Sequence, residues 1–279
     1  MQETIRGIVL RTVKYGDTSL IVDLFTLSRG RQSFMASVQR ARRTVRSVSF
    51  WQPLSMVEFQ SEIRPNGTSS IRGGLPRPSD VRTYYNYVDI PFSPVKSTLA
   101  LFLAEFLSAA LREEKENEPL YRYVESSLQW LDLASSPASI ANFHLAFLMH
   151  LSRFIGIYPN LGLPLPPPKE GVKPSGLFPN DLHTDGLTPS LGGGRGRLYF
   201  DLLAGTYCDR QPTHAHFLHG AEAAALPTLF RMDYSTMHLF RLSRSERQRI
   251  LHVLNLYYRL HIPNFPELKS LEVLHELYS

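Results

Sequence analysis

Leu20-Ile21-Val22-Asp23-Leu24-Phe25-Thr26 is followed, after Leu27, by the turn Ser28-Arg29-Gly30 and by a second run from Arg31 to Val38. Two short apolar runs on either side of a glycine turn read as strand, turn, strand. Upstream, Ile5 to Lys14 is rich in β-branched residues. Downstream, Leu54, Met56, Glu58 and Gln60 interleave with Ser55, Val57, Phe59 and Ser61 up to Ile63, and the turn Arg64-Pro65-Asn66-Gly67 follows. A fifth strand is expected to start near Ser70, against the interruptions Gly73, Gly74, Pro76 and Pro78. Five short strands in about 80 residues suit a small barrel of the OB type.

From Pro94 the period changes. Leu99, Phe102, Leu103, Phe106, Leu107 and Ala110 recur at three and four residues, the stripe of an amphipathic helix, and Tyr121–Leu131 and Ile140–Ile155 repeat it. Further helices are expected at Ala221–Phe230, at Ser245–Leu260 behind a capping box of Ser243 and Glu246, and at Glu267–Tyr278. Between them, prolines crowd the chain before a tract Gly192-Gly193-Gly194-Arg195-Gly196. The expected fold is α+β and multidomain: an OB-fold β-barrel over residues 1–82, then an all-α helical domain over 83–279 with an irregular Pro/Gly-rich insertion at 156–200.

The 279 residues are 43% apolar, enough for a sizeable core. No apolar run reaches the ~18 residues of a membrane span, and Met1-Gln2-Glu3-Thr4-Ile5-Arg6 lacks the order of a signal peptide, so a cytoplasmic protein without membrane contact is expected. The single cysteine, Cys208, excludes an intrachain disulfide and a cysteine-cage zinc site. Residues 1–80 carry twelve basic side chains against six acidic ones, and the rest of the chain is slightly acidic. Arg29, Arg31, Arg40, Arg42, Arg43 and Arg46 fall between Asp23 and Glu58 with no acid among them, which focuses the positive field.

On an OB barrel such a cluster suits nucleic acid, because cations track phosphates while aromatic rings stack on bases. Phe34, Phe50 and Trp51 are the nearby rings, though Phe50 and Trp51 equally suit plugging the barrel end. His214, His216 and His219 form the one cluster resembling a metal site, and a histidine-rich surface turn is the simpler account. A phosphate-binding glycine loop, a nucleophile elbow and paired helical carboxylates are all absent from the sequence. Arg231 to Arg241 mixes large apolar groups with cations, as does Arg244-to-Arg249; such a surface suits an acidic, apolar peptide if its Met237, Leu239 and Phe240 are not simply core.

The order Gly7-Ile8-Val9-Leu10, Tyr15-Gly16-Asp17-Thr18-Ser19, Val22-Asp23-Leu24-Phe25-Thr26, Gly30 and Ala36 to Arg40, with Gln52-Pro53 before the fourth strand, resembles the opening barrel of the RecO recombination mediators. Phe143 to Leu148 is similar to that family's central helix, and Leu268 to Val273-Leu274 to its C-terminal one. The resemblance implies a non-enzymatic protein of the bacterial cytoplasm and nucleoid that binds single- and double-stranded DNA and anneals strands. It further implies work with RecR and the single-stranded-DNA-binding protein to load the recombinase, the acidic C-terminal tail of the latter docking on the helical domain. Phosphate contacts are then expected from Lys14, in the first inter-strand loop, and from Arg29, Arg31, Arg40, Arg42, Arg43 and Arg46, with Phe34 stacking and with Arg153 and Arg241 at the rim of the tail pocket. Many members hold zinc by four cysteines after the central helix, where this chain has the 156–200 insertion and only Cys208 nearby, so no metal or cofactor is expected. The family usually has glycine where Val38 stands. The competing readings are an OB-fold RNA-binding protein, which would read 2′-hydroxyls, a metal-dependent hydrolase centred on His214, His216 and His219, and a scaffold whose arginines only solubilise.

Overall fold

A computed structural model describes residues 2–37, 49–62, 74–112, 115–162 and 198–277. The chain forms two compact units, one of Met1–Leu133 with Glu267–Ser279 and one of Ala134–Pro266.

The first unit is built on β1 (Gln2–Tyr15), β2 (Ser19–Thr26), β3 (Gly30–Ser37), β4 (Met56–Glu62) and β5 (Ser79–Tyr85). They form one antiparallel sheet in the order β3-β2-β1-β4-β5. Alternate residues of every strand enter a single core: Ile5 and Val9, Val22 and Leu24, Phe34 and Ala36, Val57 and Phe59, with Val81 packed against them. A sheet whose five strands share one interior is curled. The Met35 N–H donates to the Pro76 carbonyl at 2.9 Å, which joins edge strand β3 to the residues that lead into the other edge. This is the OB-like arrangement. Gly7 fits the crowded inner face because a Cβ there would lie 2.9 Å from Leu24 Cδ2, and Gly30 takes the left-handed backbone (φ 64°) that closes the β2–β3 turn.

Two features of the sheet bear on its surface. β5 begins at Ser79, after Pro76 and Pro78, which donate nothing to a ladder, and the start expected near Ser70 falls in residues 63–73, which lie outside the described residues. The pairing of β1 with β2 slips between Val9 and Arg11, a bulge that reverses which side chains face out.

Helices α1 (Pro94–Ala110) and α2 (Glu118–Leu133) belong to the same unit, so the boundary expected at 82/83 falls within β5. Phe25, on the outer face of β2, meets the ring of Tyr121 of α2 at 5.6 Å. The buried Asp132 carboxylate accepts hydrogen bonds at 2.9 Å from the amides of Val88, Asp89 and Ile90, and one at 3.0 Å from the Tyr85 hydroxyl. Burial opposes its charge, but these donors outweigh burial and hold the carboxyl below its ordinary value. The β5–α1 connection is thereby fixed to the end of α2.

In the second unit α3 (Pro137–Phe154) is the central helix, with Phe143 and the run Leu145 to Met149 no more than 1% exposed. Asn142 donates to the carbonyls of Met237 and Phe240 at 2.9 and 2.8 Å, and the Tyr258 hydroxyl to that of Leu148 at 2.7 Å. Around it lie α4 (Gly220–Leu229) and α5 (Arg244–His261), whose Ser243–Glu246 capping box is present as read from the sequence. The unit is not all-α: β6 (Tyr199–Asp201), β7 (Thr206–Cys208) and β8 (Phe217–His219) form a small sheet in the order β7-β6-β8. Its aromatic pairs, Phe200 with Tyr207 at 5.0 Å and Tyr199 with Phe217 at 5.7 Å, pack it from within. Of the expected insertion, residues 163–197 lie outside the described residues. The final helix, α6 (Ser270–Leu277), returns to the first unit, where Glu105 of α1 accepts from the amides of Lys269 and Ser270. Among the described residues no helix is long and apolar enough to cross a membrane.

Candidate nucleic-acid interface

Strand register assembles the outer face of β1, β2 and β3 into rows. Arg11 pairs across to Asp23 and Ser33, Val13 to Ile21 and Met35, and Tyr15 to Ser19 and Ser37. The last turn of α1 meets this face at Arg31, whose Nη1 donates to the Ser108 carbonyl at 2.7 Å. One row further out, Val13 is 39% exposed, and Tyr15 beyond it is 57% exposed. Arg77 reaches Met35 from the edge, its Nη2 3.9 Å from the sulfur.

The barrel's cations divide by partner. Arg29 is bound to Glu3 at 2.6 Å and Arg31 to Asp23 at 2.9 Å, and both are therefore neutralised locally. Arg82 and Arg6 share Glu58, whose carboxyl is held below its ordinary value first by the hydrogen bond from Arg82 and then by that from Arg6. Arg11, Lys14 and Arg77 are exposed and have no carboxylate partner among the described residues. A free guanidinium or ammonium keeps its field for an incoming phosphate, whereas a paired one must first be released.

Several sequence expectations change accordingly. Lys14 is exposed as expected but stands in β1, on the barrel's inner side opposite Leu20, not in the loop. Arg29 and Arg31, expected to be free of acids, are paired by carboxylates that arrive across the sheet. Phe34, expected to stack on a base, is 0% exposed and packs edge-on against Phe59 at 5.0 Å. Trp51, 4% exposed, plugs the same core. Arg40, Arg42, Arg43 and Arg46 lie outside the described residues. Arg11, Tyr15 and Arg77 were missed; the alternation Arg11, Val13, Tyr15 was visible in the sequence, but the bulge that turns it outward was not.

In the second unit a groove of about 650 Å³ is lined by His150, Arg153, Tyr158, Asn160, Phe230 and Arg231, among others. Arg153 lies over the Tyr158 ring at 4.5 Å and donates to its hydroxyl at 3.0 Å, and Tyr158 packs edge-on against Phe230. Cations over aromatic walls suit a carboxylate attached to an apolar side chain. Arg241 is exposed and does not line this groove.

The histidine cluster does not converge. His214 Nδ1 accepts from the His216 amide and its Nε2 bonds Asp201, both at 3.2 Å, leaving no ring nitrogen for a metal. Among the described residues no three His, Cys, Asp or Glu side chains are placed to hold a metal ion, so the hydrolase reading loses its centre.

Comparison with known proteins agrees with the barrel and its helices. The family model for the N-terminal part of recombination protein O matches residues 1–75, and that for its C-terminal part matches residues 91–162. The DNA repair protein RecO of Phocaeicola vulgatus is 43% identical over all of both chains. That of Bacteroides fragilis is 44% identical over all of this chain and 99% of its own, and that of Christiangramia forsetii is 30% identical over 98% of each. With both halves of the family pattern present and identity sustained from end to end, this chain belongs to the RecO family of DNA repair and recombination proteins.

Proposed function

We propose that this protein is a DNA-binding recombination mediator that holds single- and double-stranded DNA on its barrel and promotes annealing of complementary strands. The observation that carries the reading is the trio Arg11, Lys14 and Arg77, exposed on the barrel and unpaired by any carboxylate among the described residues. Arg40, Arg42, Arg43 and Arg46 follow β3 directly in sequence and add to the positive charge of residues 1–80. Two phosphate backbones repel, and a cationic surface that screens both lowers the barrier to their meeting, so annealing needs no covalent step and no catalytic residue.

The protein acts with RecR and with the single-stranded-DNA-binding protein to load the recombinase. The acidic, apolar tail of the latter enters the groove of Arg153, Tyr158, Phe230 and Arg231, its carboxylates meeting the two arginines. The DNA reading is tested by annealing of two labelled complementary oligonucleotides. The native chain is expected to accelerate annealing at low salt, and replacement of Arg11, Lys14 and Arg77 together by Ala to remove most of the acceleration. Equal acceleration by both would locate the DNA site elsewhere. Preference for a matched RNA strand would favour the RNA-binding reading.

A further inference from the structure

A sheet face turned to water is normally polar, yet Val13, Ile21 and Met35 lie side by side across three strands with Val13 39% exposed and the other two half-buried. Tyr15, 57% exposed, stands in the next row beside Ser19 and Ser37, and among the described residues these small side chains leave its ring uncovered. Cations bound the strip: Arg11 in the row on one side and Arg77 at Met35 on the edge. The carboxylate of the Arg11 row, Asp23, is occupied by Arg31 at 2.9 Å and by the Ser33 hydroxyl at 2.5 Å. The strip spans about 10 Å, two strand spacings.

We propose that this strip is a platform for unpaired bases, with Tyr15 as its stacking residue, so that single strands and duplexes are held by different side chains. The inference rests on the reading of the barrel as DNA-binding and adds which form of DNA uses which contacts. Flat apolar atoms flanked by cations match a single strand, whose bases offer open faces beside charged phosphates. A duplex has its base faces already stacked and offers only its backbone, which the cations can meet but the strip cannot. An acidic peptide would also find cations here, but it would gain nothing from an aromatic ring set among serines.

The test is anisotropy titration of the full chain with a labelled oligo-dT strand and with a duplex of the same length, at one salt concentration. Tyr15→Ala is expected to lower single-strand affinity relative to duplex affinity by about 5- to 150-fold, the range for loss of one stacked base. The salt slope is expected to stay the same, since no charge is removed. Tyr15→Phe is expected to restore the native ratio, and the added indole of Tyr15→Trp to be quenched by the single strand but not by the duplex. Loss of both affinities alike, loss of neither, or failure of Phe to restore the ratio would overturn the platform while leaving DNA binding intact. A native chain that binds neither form would overturn both.

Discussion

What an arginine does on this barrel is decided by whether a carboxylate reaches it through space. Glu3 and Asp23 neutralise Arg29 and Arg31 from neighbouring strands, and a sequence scan for nearby acids misses the first because it lies 26 residues away. Phe34 follows the same logic. Its ring is buried among Phe59 and the strand residues of the core, so Phe34→Ala is expected to cost about 3–5 kcal/mol of stability by chemical denaturation. The fraction that remains folded is expected to bind DNA as the native chain does; weakened binding by fully folded protein would return Phe34 to the interface. Residue types thus showed that the barrel is cationic, while strand register determined which cations are free.

At the scale of elements, α3 carries the clearest pH dependence. His144 is buried, and burial first, with the charge of Arg247 second, lowers its pKa from an ordinary 6.5 to about 3. The folded state therefore keeps it neutral where the unfolded chain protonates it. Its stabilising effect is complete above pH ~6.5 and is lost as pH falls toward 3, with a slope of up to about 1.4 kcal/mol per pH unit. Denaturation curves at stepped pH are expected to show this slope in the native chain and a flatter one in His144→Gln; identical slopes would place the titration elsewhere. The long periodic helices and the first four strands were legible because their patterns run for many residues. The three-residue strands β6 to β8 were not, since so short a strand shows no alternation, and their pairing depends on contacts such as Phe200 with Tyr207 that are made only after folding.

At the scale of the whole molecule, two units carry two surfaces of different chemistry. The helices α1 and α2 belong to the same compact unit as the barrel, where Tyr121 of α2 packs on Phe25. The groove of the second unit predicts that Arg153→Ala with Arg231→Ala weakens binding of a synthetic acidic peptide with an apolar, free C-terminus by about 10- to 100-fold. Arg241→Ala, outside the groove, is expected to leave it unchanged in calorimetric titration. The reverse pattern would move the pocket.

The most direct test of the central claim is a salt series of anisotropy titrations with a labelled single strand, comparing the native chain with the Arg11→Ala, Lys14→Ala, Arg77→Ala variant. Each phosphate contact contributes about −0.7 to the log–log slope for a single strand, so the variant is expected to be shallower by up to about 2.1. A variant as steep as the native chain would contradict a DNA interface built on these three side chains.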